Sequence, residues 1–194
     1  MRPVRTAGET TNWALRPGRA ADVESVAELR AEVMRDDLER LGRYDGHRVR
    51  QRLRDGFSPA HTSVVEVDGA FAGSVTLRPH EDGEGLWLEH FYLAPGAQGR
   101  GLGTAVLRGL LDRADAAGAP VRLVVLRGSA ARRLYEREGF TVESEDPVDV
   151  LMVREPRAAR PRAAGPRAVE SRAVEPRAVE SRAVRAPRRP AAGR

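Results

Sequence analysis

A glycine-rich segment, residues 99–103, lies directly before a run of residues with strong helical periodicity. Glycine can adopt left-handed dihedrals and lets the backbone approach a ligand closely, so several consecutive amide N–H groups can point at one anion. A helix that begins at Leu102 adds its unpaired first-turn amides and the positive end of its dipole to the same place. The segment therefore predicts a phosphate-binding loop between a strand over 86–93 and this helix.

The remaining sequence alternates between strand and helix patterns. An Asp68-Gly69 pair between two apolar runs predicts a β-hairpin. The predicted strands are Trp13–Pro17, Thr62–Val67, Ala70–Arg78, Leu86–Leu93, Val121–Leu126, Phe140–Glu145 and Val148–Arg154. The first predicted helix begins after Asp22. Three more cover residues 36–41, 45–57 and 102–117, and the last is Ala130–Glu138. The first of them has one face made of Val23, Val26, Ala27, Arg30, Val33 and Met34.

Residues 155–194 differ in composition from the rest of the chain. They contain eleven arginines and four glutamates, so their net positive charge is larger than the net charge of +5 for the whole chain. Residues 1–154 therefore carry a small net negative charge. Their repeat, Arg-Ala-Val-Glu-Ser/Pro, has a five-residue period that cannot keep one apolar face on a helix. We therefore predict a flexible N-terminus over 1–12, one domain over 13–154 and a disordered tail over 155–194.

Two missing residue types exclude several classes of site. The chain has no cysteine, which excludes disulfides, thiolate metal sites and cysteine nucleophiles, and we expect no metal. It has no lysine, which excludes a Walker A phosphate loop and a Schiff-base lysine. Arg2 and Arg5 are followed by no apolar run, so we expect no secretory leader, and no stretch of the sequence approaches the roughly 20 apolar residues of a membrane helix. We therefore expect a cytoplasmic protein that makes no membrane contact.

Two motifs resemble the signatures of the GNAT acyltransferases. Gln98, Gly101 and Gly103 match Gln/Arg-x-x-Gly-x-Gly/Ala, which in that family cradles the pyrophosphate of acetyl-CoA. The stretch from Leu134 to Phe140 is similar to the family's Leu-Tyr-x-x-x-Gly-Phe. The resemblance implies an α+β fold with a central mixed, mostly antiparallel sheet of six to seven strands and helices on both faces. It also implies acetyl-CoA-dependent transfer to a primary amine by direct attack in a ternary complex.

The resemblance assigns the acetyl-CoA contacts to three places. The strand before the loop, usually splayed by a bulge, would pair with the pantetheine arm. Ser129 stands where relatives often carry an asparagine that bonds the pantetheine, although a serine there can instead cap the next helix. The implied contact residues are Phe91, Tyr92, Leu93, Gln98, Gly99, Arg100, Gly101, Leu102, Gly103, Thr104 and Ser129.

Two residues are the catalytic candidates. A primary amine with a pKa of about 10.4 is protonated at neutral pH, so a base must assist its attack, and the resemblance gives this role to Glu89. Strict strand alternation puts Glu89 on the face of Phe91 and opposite His90, a weaker base candidate. Tyr135 would protonate or orient the departing sulfur. The alternatives are a paired or edge-exposed strand carboxylate for Glu89, and for Tyr135 an anchor of the last helix that packs on the sheet and makes one hydrogen bond.

Other interpretations remain open at this stage. A non-catalytic acyl-CoA-binding or tethering protein would keep the loop and use its basic tail to recruit an acidic partner. Weak, non-specific binding of nucleic acid through the tail is a third hypothesis. A dinucleotide-binding fingerprint is excluded by spacing, because Val106 occupies its third glycine position. The acceptor is expected to be a small-molecule or peptide amine, and a homodimer is possible.

Overall fold

Seven strands form one sheet in the computed structural model, which describes residues 12–81 and 83–157. The strands are β1 (Trp13–Pro17), β2 (Thr62–Val67), β3 (Ala70–Pro79), β4 (Leu86–Leu93), β5 (Val121–Leu126), β6 (Thr141–Glu145) and β7 (Asp149–Arg154). Their order is β1-β2-β3-β4-β5-β7-β6. Every neighbouring pair is antiparallel except β4 and β5, so the predicted mostly antiparallel mixed sheet is confirmed.

Five α-helices connect the strands. They are α1 (Val23–Val33), α2 (Arg35–Arg40), α3 (Gly46–Gly56), α4 (Leu102–Ala116) and α5 (Ala131–Arg137). Asp45 caps α3, because its carboxylate accepts a hydrogen bond from the Arg48 amide at 2.9 Å. The predictions of a flexible N-terminus and a disordered tail lie outside the described residues, apart from Asn12 and 155–157.

Each face of the sheet is covered by helices. The periodic stripe of α4 packs with α5 on one face, where the buried residues include Val75, Leu88, Val106, Leu107, Leu110, Leu123, Tyr135 and Met152. On the other face a smaller core joins α1 and α3 to β4, through Val26, Ala27, Leu53, Phe57 and Tyr92. The predicted placement of helices on both faces is confirmed.

Strand β4 is irregular at its centre. Thr76 pairs with Glu89 and Ser74 with Tyr92, so the single residue Val75 faces two residues of β4, namely 90 and 91. This two-against-one pairing is a β-bulge, and His90 within it has a φ of 53°, which is uncommon for a residue other than glycine. The bulge is the irregularity that the resemblance implied for this strand.

The other edge of β4 separates from β5. Only Leu86–Leu88 pair with β5, at Val121–Leu123. On its other edge the whole of β5, from Val121 to Leu126, pairs with β7. Beyond Leu88 the edge of β4 that faces β5 thus has no strand partner among the described residues, and the parallel pair opens into a cleft.

Gly109 offers a test of the α4 assignment. It is exposed in the middle of the helix, and a Cβ added there would meet no atom within 4 Å. Because alanine loses less backbone entropy than glycine in a helix, we expect Gly109→Ala to raise the free energy of unfolding by about 0.5–1 kcal/mol in urea denaturation. Gly118→Ala is the control, since Gly118 has a φ of 63° and should not be stabilised by a Cβ. Equal stabilisation by both changes would contradict the prediction.

Candidate functional site

The glycine-rich loop carries unpaired amides at the start of α4. Gly99 and Gly101 have φ values of 74° and 82°, in the left-handed region that glycine tolerates. Among the described residues, none of the amides from Gly101 to Thr104 donates to a backbone carbonyl, and the first helical bond is from Ala105 to Gly101 at 3.0 Å. Adjacent unpaired amides at the positive end of a 15-residue helix can bind an anion such as a phosphate.

The loop is tied to the end of β4. The side-chain Nε2 of Gln98 donates to the carbonyl oxygen of Leu93 at 2.7 Å, so this residue of the predicted contact set positions the loop. A Cβ on Gly103 would lie 3.4 Å from Leu93 and 3.6 Å from Leu134. The loop, the end of β4 and α5 therefore meet at Gly103. Arg100 is exposed beside them.

The bulge corrects the predicted orientation of Glu89. Strict alternation places Glu89 with Phe91 and Leu93, but both of these pack in the α4 core while Glu89 pairs with Thr76 next to the α1/α3 face. The extra residue of the bulge reverses the alternation, so Glu89, His90 and Tyr92 share one face. Periodicity carries no signal for this reversal.

Glu89 forms an ion pair on one of its two carboxylate oxygens. Arg78 Nε donates to Oε1 at 2.8 Å, and the two side chains are 26% and 23% exposed. The Oε2 atom makes no hydrogen bond with any residue that the structure describes. The ion-paired alternative for Glu89 is thus observed, but one carboxylate oxygen stays available to a water or an amine.

His90 lies in the same neighbourhood as Glu89. Its Nδ1 is 3.5 Å from the Thr76 hydroxyl, which shares a 2.8 Å hydrogen bond with the Thr62 hydroxyl. Burial lowers the pKa of His90, and the charges of Arg30 and Arg78 lower it further, while Glu89 acts in the opposite direction. The imidazole is therefore neutral at pH 7 and can accept a proton.

The lowered pKa of His90 predicts a loss of stability in mild acid. In the unfolded chain a histidine binds a proton near pH 6.5, whereas folded His90 resists protonation, so the unfolded state binds more protons below that pH. We expect the free energy of unfolding to fall from pH 7 to pH 5.5, measured by urea denaturation. His90→Asn, which tolerates the left-handed backbone, should flatten this dependence. His47→Asn, a change at an exposed position, is the control and should leave the pH dependence of unfolding unchanged. If His90→Asn loses stability in acid as strongly as the native chain does, the prediction is wrong.

Tyr135 lies on α5 and is buried in the core that α4 and α5 form with the sheet. It is 7% exposed and makes an edge contact with Phe140, with ring centroids 5.7 Å apart. Burial raises the pKa of Tyr135 well above its usual value, and Tyr92 raises it further. Burial also raises the pKa of Tyr92 to about 12, with Arg30 and Glu89 acting on it in opposite directions. Tyr92 belongs to the part of β4 that does not pair with β5, and its influence on the pKa of Tyr135 means that the two tyrosines lie near each other.

Two arginines hold α5, and with it Tyr135, against the rest of the fold. Arg108 of α4 forms two hydrogen bonds with the Glu138 carboxylate, at 2.9 and 3.0 Å. Arg154, only 3% exposed, donates to the Glu138 carbonyl at 3.1 Å and forms a bidentate pair with Asp115 at 2.8 Å. The end of α5 is therefore fixed to α4 and to β7.

Ser129 lies in the turn between β5 and α5. Its hydroxyl accepts a hydrogen bond from the Ala131 amide at 3.4 Å, which fits the helix-capping alternative. Its proposed contact with the pantetheine stays a prediction.

A pocket of about 540 Å³ adjoins the loop on the side of the β2–β3 hairpin, and neither Glu89 nor Tyr135 lines it. The two catalytic candidates instead belong to the elements on either side of the separation between β4 and β5, since Glu89 lies on β4 and Tyr135 on α5, which follows β5. Within 12–81 and 83–157, no group of three or more His, Asp or Glu side chains is arranged to hold a metal ion. No helix in these ranges has the length and hydropathy required to span a membrane.

Comparisons with known proteins agree with this geometry. A family model described as the acetyltransferase (GNAT) family matches residues 24–140, which include β4, the loop and α5.

Several solved structures share the fold. A PaiA N-acetyltransferase from Thermoplasma acidophilum, in complex with coenzyme A, has a TM-score of 0.61 and 20% identity, over 74% of this chain and 99% of that one. An N-acetyltransferase from Staphylococcus aureus Mu50 has a TM-score of 0.58 and 17% identity, over 72% and 98% of the two chains. An N-acetylglutamate synthase from Neisseria gonorrhoeae, complexed with coenzyme A and L-arginine, has a TM-score of 0.56 and 18% identity, over 78% of this chain and 34% of that one.

Proposed function

Since this chain belongs to the GNAT family of acetyltransferases, we propose that it transfers the acetyl group of acetyl-CoA to a primary amine by direct attack within a ternary complex. The observation that carries the proposal is the row of unpaired amides from Gly101 to Thr104 beside the cleft between β4 and β5. The acceptor is a small-molecule or peptide amine.

The amides of the loop hold the pyrophosphate of acetyl-CoA. Gly101 contributes a left-handed backbone, and α4 contributes the positive end of its dipole. Gln98 keeps the loop against the end of β4. The pantetheine arm then extends along the open edge of β4 near Phe91 and Leu93, where unpaired backbone groups hydrogen-bond its amides.

Tyr135 acts on the thioester sulfur. Its raised pKa keeps the phenol protonated at neutral pH, so its hydroxyl is a permanent hydrogen-bond donor. A thiolate with a pKa near 8.5 is too weak a base to take this proton completely. The main contribution of Tyr135 is therefore a hydrogen bond that orients the sulfur and stabilises its developing negative charge.

Glu89 assists deprotonation of the amine, directly or through a water on Oε2. Arg78 fixes the carboxylate through Oε1 and leaves Oε2 facing no described donor. His90 is the competing base, since it is neutral and lies on the same face. Backbone amides near Leu93 stabilise the oxyanion of the tetrahedral intermediate.

Two measurements test the proposal. Calorimetric titration of the native protein with acetyl-CoA should show one binding site, and a spectrophotometric assay for free thiol should detect turnover with at least one amine in a broad panel. Binding without turnover would support the tethering interpretation and reject the enzyme mechanism. No binding at all would reject the assignment of the loop.

Replacement of the two candidate bases separates their roles. Glu89→Gln keeps the size of the side chain and removes its basicity, and His90→Asn keeps the left-handed backbone. If Glu89 is the base, only the first variant should lose kcat. If kcat falls only in His90→Asn, the role of the base belongs to His90.

A further inference from the structure

Arg30 occupies an apolar face of α1. Val23, Val26 and Ala27 precede it at helical spacing, and the last two are fully buried against β4. Arg30 itself is half-buried, and those of its donors that point inward are costly to bury unless they find partners. Its position therefore calls for an explanation from the residues around it.

Arg30 lacks the partners that its neighbours have. Arg50 pairs with Glu28, Arg54 with Glu24 and Arg78 with Glu89. No carboxylate among the described residues forms a salt bridge with Arg30, and its buried Nε has no hydrogen-bond partner. A buried donor without a partner normally costs free energy, so an acceptor atom from a ligand or a water would stabilise this position.

The charge of Arg30 acts on the site described above. It lowers the pKa values of both His90 and Tyr92, and Tyr92 in turn influences Tyr135. Glu89, the one carboxylate that acts on His90 and Tyr92, is already bound by Arg78. One uncompensated positive charge therefore remains on the α1 side of Tyr92, opposite the side on which Tyr135 lies.

We propose that Arg30 binds an anionic group of the acceptor, so that the preferred substrates are primary amines that also carry a carboxylate or a phosphonate. This inference rests on the proposed acetyl transfer and narrows its substrate class. A guanidinium presents a planar fork of donors that matches both kinds of oxyanion. A small molecule that bridges Arg30 and the cleft would place its amine near Glu89 and Tyr92.

The test compares each amino acid with its own carboxamide. The carboxamide lacks the negative charge, and its amine has the lower pKa, so more of it is unprotonated and reactive at neutral pH. A preference of the native enzyme for the free acid would therefore come from binding of the carboxylate. Arg30→Gln should lower kcat/KM for the acid on the order of ten- to a hundredfold, mainly through KM, and leave the carboxamide unaffected. Aminoalkylphosphonates, assayed in parallel, show whether the site prefers a phosphonate or a carboxylate.

Two further variants control the experiment. Arg54→Gln removes a surface arginine whose guanidinium donates to the Glu24 carboxylate, and it should behave like the native enzyme with both members of each pair. Arg30→Lys keeps the charge without the planar fork and should give an intermediate KM. A second readout avoids turnover: N-acetylated amino acids, titrated calorimetrically into the coenzyme A complex, should bind the native protein more tightly than Arg30→Gln.

The outcomes separate this inference from the function on which it rests. If acetyl-CoA binds and amines are acetylated, but acid and carboxamide react equally well, the role of Arg30 is wrong and the proposed function stands. The role of Arg30 is also wrong if Arg30→Gln lowers kcat/KM equally for the acid and the carboxamide while its thermal melting curve is unchanged. If the native protein neither binds acetyl-CoA nor acetylates any amine, the proposed function and this inference both fail.

Discussion

Replacement of Tyr135 by phenylalanine should lower kcat for acetyl transfer about 100- to 1,000-fold and leave the Kd for acetyl-CoA nearly unchanged. Phenylalanine keeps the packing against Phe140 but removes the hydroxyl that we place at the sulfur. Because this hydroxyl acts as the bond to sulfur breaks, its loss should affect the transition state more than the bound substrate. Steady-state kinetics with acetyl-CoA and the best amine would measure the effect.

Tyr44→Phe is the matched control for this change. The Tyr44 ring packs under Arg35, and its hydroxyl lies 3.5 Å from the Ala31 carbonyl of α1. It should keep native kcat. Since burial raises the pKa of Tyr135, native kcat should also show no decline from tyrosine ionisation near pH 10. A Tyr135→Phe variant with native kcat would leave only the packing role for this residue.

Gly101→Val should weaken acetyl-CoA binding about a thousandfold. Valine at a φ of 82° introduces about 1–2 kcal/mol of backbone strain, which the loop relieves by changing its dihedrals. The amides from Gly101 to Thr104 would then no longer converge on one point. Each hydrogen bond to a charged group contributes about 1.5–3 kcal/mol, so the loss of two or more gives the expected factor. Calorimetry with acetyl-CoA measures it directly.

Gly96→Val is a control in the turn that leads into the loop. Gly96 has no positive φ, and a Cβ there would meet no atom within 4 Å, so valine should fit without moving the amides. The variant should bind acetyl-CoA as the native protein does. Equal loss in both variants would mean that bulk near the loop, and not the backbone conformation of Gly101, determines affinity.

The elements and the loop were predictable because their signals are local. The hairpin follows from Asp68-Gly69, and both residues adopt the positive φ values that such a turn requires, 51° and 78°. Helix α4 follows from the spacing of Leu102, Val106 and Leu110, all of which are buried. The left-handed glycines of the loop were expected for the same reason, since their dihedrals depend on the residues themselves.

The relations between side chains across the site were not predictable. The partner of Glu89 is Arg78, on a neighbouring strand, and that register depends on where the bulge falls. The face shared by Glu89 and His90 has the same origin. Arg30 was visible as a member of the α1 stripe, but its lack of a carboxylate partner is a property of the folded neighbourhood. Tertiary contacts, and not residue spacing, decide these features.

The bulge in β4 is not needed for the packing of this strand. Deletion of His90 would restore a regular pairing with β3 in which Phe91 faces Val75, and Phe91, Tyr92 and Leu93 would keep the faces that they occupy now. The deletion would remove only the left-handed residue and the local bend of the strand. Laboratory evolution for stability alone should therefore tolerate the loss of this residue, whereas selection for acetyl transfer should retain it.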